Sequence, residues 1–128
     1  MNDSDFFELC KGGSLLQIGD AIRGGANLNA RNDDGFTPLM FAAMGNSNHG
    51  VIIALIQAGA DIEARDNKHG FTPLLRAAGV SPNPEVIRAL INGGANVNAS
   101  AGEFSPLKLA SMNPNPEVIT TLIAAGAK

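Results

Sequence analysis

The chain is 128 residues long, 45% hydrophobic and 16% charged, with a formal net charge of −3. Such a balance describes an ordinary globular chain, and no apolar run approaches the roughly 18 residues that a membrane-spanning helix requires. The nine Lys and Arg are scattered, without interleaved aromatics, which excludes a basic footprint for nucleic acid; the lone Cys10 excludes an internal disulfide or a cysteine metal cluster.

The amino-terminal Met1-Asn2-Asp3-Ser4-Asp5 is acidic and leads straight into a helix, unlike a secretory signal, and so implies a cytoplasmic protein. Leu9-Cys10-Lys11 through Gly25-Ala26 reads as two helices joined at Gly12-Gly13, with Cys10 a packed thiol on the first. An alternating stretch, Ala26 to Ala30, leads to a polar tip and then to Gly35-Phe36-Thr37-Pro38-Leu39. Proline in a first helical turn has the right φ and lacks an N–H that would go unpaired, so Thr37 reads as the N-cap of a helix. Ala42-Ala43 keeps side chains short at a crowded helix contact, and Leu39 supplies apolar area worth roughly 1.5–3 kcal/mol if fully buried. After the turn-rich linker Asn46 to Gly50, Ile52, Leu55 and Ile56 form the apolar stripe of a second helix over 51–57, which Gly59 closes with a left-handed turn.

The series then recurs twice. Ala60 to Ala64 and Ala95 to Ala99 repeat the alternating stretch, and Gly70-Phe71-Thr72-Pro73-Leu74 and Glu103-Phe104-Ser105-Pro106-Leu107 repeat the pentad. The small pairs Ala77-Ala78 and Ala110-Ser111 and the stripes over 86–92 and 118–124 complete the units. The prolines lie 35 and 33 residues apart, a period that marks a solenoid of stacked units.

These residues resemble the ankyrin repeat family, whose units read Gly-x-Thr-Pro-Leu-His-x-Ala-Ala, a linker, a second helix ending in Gly-Ala, and an alternating strand. The resemblance implies an all-α solenoid of antiparallel helix pairs with projecting β-hairpin loops. A single domain over 1–128 is expected, with an amino-terminal capping repeat over 1–26 and full repeats over 27–60, 61–95 and 96–128. The linkers Ser81-Pro82-Asn83-Pro84-Glu85 and Asn113-Pro114-Asn115-Pro116-Glu117 look like those of a subset of bacterial members. Met40, Leu75 and Lys108 stand where the family has histidine, so packing is expected to replace that histidine's inter-repeat hydrogen bonds.

No catalytic constellation emerges. His49 and His69 lie in turns without partners at metal-ligand spacing, Asp33-Asp34 lacks the alternating oxygen ligands of a calcium loop, and Gly12-Gly13 lacks the strand and lysine of a phosphate loop. No enzyme activity, metal or cofactor is expected, and the amphipathic helices are committed to stacking, which leaves none for a membrane.

The family resemblance implies instead a concave face that binds a protein partner. Carried over by position, that face takes in the tips Arg31, Asn32, Asp33, Asp34, then Asp66, Asn67, Lys68, His69, then Ala101, Gly102 and Glu103. Phe36, Phe71 and Phe104 come from the pentads. Phe41, Arg76 and Leu109, then Met44, Val80 and Met112, come from the inner helices, with Lys108 beside them. The three pentad phenylalanines are open to two readings, as an interface ladder or as rings folded over the hairpin base. An alternative function comes from the last unit, which keeps Val118, Ile119, Leu122 and Ile123 where a capping repeat would be polar: docking or self-association through that end.

Overall fold

Eight helices follow one another: α1 (Asp3–Gly12), α2 (Leu15–Arg23), α3 (Pro38–Gly45), α4 (His49–Gln57), α5 (Pro73–Val80), α6 (Pro84–Asn92), α7 (Pro106–Ala110) and α8 (Glu117–Ala124). The computed structural model describes residues 1–128. The starts obey the local rules. Thr37, Thr72 and Ser105 accept hydrogen bonds from the backbone N–H of Met40, Leu75 and Lys108 at 3.3, 3.2 and 3.1 Å, each with proline as the first helical residue. Ser14 and Gln17 form a reciprocal capping box on α2. His49 is the first residue of α4, an exposed helical position where the sequence pointed to a turn.

The odd-numbered helices stack in one row and the even-numbered ones in a second, so the chain is all-α and built of four helix pairs. Between the rows lie Leu39, Leu74, Ile52, Leu55, Ile87, Leu90 and Leu122, all buried, and Ala42, Ala43, Ala77 and Ala78 let the odd row close up. Leu107 is only half-buried, because α7 ends its row. Cys10 is fully buried, and burial pushes its thiol up to about 12, which makes it inert packing.

The projecting loops are turns, not strand pairs. Asn32 N–H donates to Phe36 C=O at 3.1 Å and Asp66 N–H to Phe71 C=O at 3.0 Å, and only the third tip makes a bridge, between Ala101 and Phe104. Gly35 has a φ of +77°, and a Cβ there would meet Asn67 of the next tip at 2.8 Å, so both conformation and contact demand glycine. In the third tip the left-handed residue is Gly102, one position earlier, which frees Glu103 to carry a side chain.

Hydrogen bonds from one unit to the next repeat as regularly as the pentads. Asn29 Oδ1 accepts from Asp61 N–H at 3.0 Å and Glu63 Oε2 from Asn96 N–H at 2.8 Å, and in the last unit Asn98 Oδ1 accepts in the same way from the terminal Lys128 N–H at 2.9 Å. At the linker end, Asn46 donates to the carbonyls of Cys10 and Gly13 at 3.1 and 2.9 Å, and Asn113 to those of Ala78 and Ser81 at 3.0 and 2.8 Å. Packing alone therefore does not replace the missing histidine: Met40 and Leu75 are buried, and buried linker asparagines supply the cross-unit bonds.

The joint between the second and third pairs breaks this pattern. Ser81 occupies the asparagine position and is too short to reach back, so no third-pair side chain donates to the carbonyls of Ala43 or Asn46. A hollow of about 70 Å³ lies beside it, bordered by Met44, Asn46, Ser81 and Asn83. Restoring the amide with Ser81→Asn is expected to stabilise the fold by about 1 kcal/mol, and removing one with Asn46→Ala to destabilise it by about 2 kcal/mol. Urea unfolding midpoints of the two variants check both signs.

Candidate protein-binding face

Five of the six phenylalanines form one file along the tip side of the odd-numbered helices. Phe7 of α1 and Phe41 of α3 have ring centroids 5.1 Å apart, and Phe36 meets Phe41 edge-on at 5.7 Å. Phe36 does not touch Phe71. The gap between them is filled by the Arg76 guanidinium, 4.7 Å from one ring and 4.8 Å from the other. Phe71 then meets Phe104 edge-on at 5.6 Å, and the ammonium of Lys108 stands 5.7 Å over the Phe104 ring. Such cation–ring contacts contribute about 0.5–2 kcal/mol depending on desolvation.

The pentad position thus divides. Phe71 is buried at the base of its loop, whereas Phe36 and Phe104 are half-buried and keep an open edge. Phe41 and Met44 are also half-buried, and Val80 and Met112 are well exposed. Leu109 is buried, pointing into the core cluster and not out of the expected face. Phe7 was not among the expected residues, because the first unit has no pentad to mark it; the Phe6-Phe7 pair in a short amphipathic helix was the available signal.

The tips differ in their commitments. Arg31 donates to the Arg65 carbonyl, and Arg65 in turn donates to the carbonyls of Gly70 and Ser100, both at 2.9 Å, so these arginines strap successive tips together. Asn67 N–H donates to the Asp34 carbonyl at 2.7 Å. The side chains of Asp33, Asp34, Lys68 and His69 remain exposed, with the His69 ring 5.2 Å from Phe71. Glu103 and Lys108 form an exposed pair at 3.6 Å.

Asp66 is the exception among the tip residues. It was expected on the open surface, but its side chain is fully buried. Oδ1 accepts from the N–H groups of Lys68, His69 and Gly70 at 3.0, 2.8 and 3.2 Å, and Oδ2 accepts from Arg76 Nε at 2.7 Å. Burial alone would raise its pKa. The Arg76 hydrogen bond, the backbone donors and the Arg76 charge outweigh burial and hold the carboxyl below its ordinary value of 3.8. Arg76 Nη2 is buried without an acceptor, held against ring faces instead.

Removing Arg76 leaves a buried carboxylate unpaired, and Arg76→Ala is expected to cost about 3 kcal/mol in urea unfolding. Because the folded pKa of Asp66 is depressed, its contribution is full above the unfolded value and disappears as pH falls through the folded one. The acid limb of the wild-type stability curve, below a pH of about 4, should therefore be steeper than that of Asp66→Asn.

No group of three or more His, Cys, Asp and Glu is placed to hold a metal ion. No helix is long and apolar enough to cross a membrane. A search of curated proteins returns no match. A family model of ankyrin repeats in three copies matches residues 9–101. With proline-started inner helices, glycine-closed outer helices and tips strapped from unit to unit over that same span, the chain belongs to the ankyrin repeat family.

Proposed function

We propose that this chain is a non-catalytic binding module that holds a protein partner against the face formed by its loop tips and odd-numbered helices. Ankyrin repeats are general protein-interaction modules, and nothing in the chain assembles a nucleophile, base and orienter. The observation that supports the reading most is the file of rings and cations from Phe7 to Lys108. Aromatic and arginine side chains with a partly open edge, beside exposed methionine, are the composition of interface hot spots. A single domain over 1–128, capped over 1–26, belongs to this reading, with full repeats over 27–60, 61–95 and 96–128. So does a cytoplasmic site of action, and the paired-proline linkers support a bacterial source.

Affinity capture from the source organism tests it. Phe36→Ala and Phe104→Ala should keep the circular dichroism of the wild type and weaken the captured partner by about 2 kcal/mol or roughly thirtyfold, while Gln57→Ala on α4 changes nothing. Unchanged capture by both phenylalanine variants counts against the face. Phe71 is unsuitable as a probe, because truncating a buried phenylalanine costs about 3–5 kcal/mol of fold stability.

A second reading rests on the last pair. Ile123 and Met112 are well exposed there, and Ile119 and Leu107 are half-covered, which leaves an apolar end suited to docking or self-association. Sedimentation across a concentration series should then show association that Ile123→Lys abolishes; a monomer at every concentration removes self-association.

A further inference from the structure

At the amino-terminal end of the same face, α1, α3 and the first tip enclose an open cavity of about 550 Å³. Phe7 and Phe41 line it, and around them stand the carboxylates of Asp3, Glu8, Asp33 and Asp34. Only Glu8 has a cation partner, Lys11 at 2.7 Å; the other three carboxylates have none within ion-pair distance. A separate observation shows what the rings accept. The Lys11 ammonium stands 5.2 Å over the Phe41 ring, so the cavity already seats one alkylammonium on an aromatic face. Further along the face the charges are balanced: Arg76 is paired with Asp66 and Lys108 with Glu103, while Lys68 has no acidic partner.

We infer that this cavity is the seat for a lysine or arginine side chain of an extended partner segment that lies along the face. The inference rests on the reading of the face as a binding surface and specifies the chemistry of one subsite within it. A cation entering the cavity would meet three carboxylates that have no internal partner, beside the Lys11 ammonium already seated on the Phe41 ring. A carboxylate in the same place would meet three unpaired like charges beside the Glu8–Lys11 pair. At the second tip, Lys68 has no acidic partner and favours an acidic or carbonyl group further along the segment.

The test uses the intact chain, a random peptide library displayed on phage, and the double variant Asp33→Asn/Asp34→Asn. Both aspartates are exposed, and their side chains make no hydrogen bond, so the variant should melt with the wild type. Selected peptides are expected to be enriched in Lys or Arg, and synthetic copies should bind the double variant at least about tenfold more weakly, with a difference that fades as salt is raised. A complementary titration follows amide resonances with N-acetyl-arginine amide and N-acetyl-glutamate amide. Only the arginine probe should shift residues around Asp33, Asp34 and Phe41.

Peptides that lose binding on Phe36→Ala but show no basic enrichment and ignore the double variant would overturn the cation seat while sparing the binding face. Peptides indifferent to Phe36→Ala and to the double variant alike, or a library that yields none, would sink both. Equal resonance shifts with the two probes, or none at these residues, would also reject the seat.

Discussion

The Asp66 carboxylate, buried and shared between three backbone N–H groups and the Arg76 guanidinium, organises the middle of the molecule. One oxygen shapes the second tip; the other pins that tip to α5. The guanidinium so fixed then stands between Phe36 and Phe71, 4.7 and 4.8 Å from their rings, and links the phenylalanines of adjacent units. A single ion pair thereby connects tip conformation, repeat spacing and the continuity of the aromatic file. Buried pairs of this kind contribute modest net stability, and specifying one arrangement among several is the better account of what this one does.

The scaffold was legible because its signals are local. Thr37-Pro38, Thr72-Pro73 and Ser105-Pro106 start helices by backbone rules that act within a single turn, and the stripes of α4, α6 and α8 follow helical periodicity. The face was legible only where the repeat itself marks it. Asp66 reads like any tip residue until the loop folds back on α5 and brings Arg76, ten residues on, to its carboxylate. Phe7 carries no pentad. The linker asparagines donate to carbonyls 32 to 36 residues earlier, a partnership that exists only once the units have stacked.

Polar side chains bear more of the stacking than the apolar stripes suggest. Arg31 and Arg65 strap the tips, Asn29 and Glu63 catch the first N–H of the next unit, and Asn46 and Asn113 close the linker side. These positions are surface-like in composition yet act as joints, which is how a chain with no single central core still adds its units into one row.

The joint at Ser81 is tied more heavily at one edge than at the other, where the exposed Asn83 amide donates to the Ser47 carbonyl at 2.7 Å. On the tip side it holds Asn67 against Asp34, Arg31 against Arg65, and Arg76 against Phe36. On the linker side it lacks the buried amide that its neighbours have. In a one-dimensional array, fluctuations concentrate where the bond between neighbours is weakest. Any opening of this seam would therefore begin on the linker side, like a book opening at its fore-edge while the spine stays closed. Such an opening would bend the row at its midpoint while the tip-side contacts keep the rings in register.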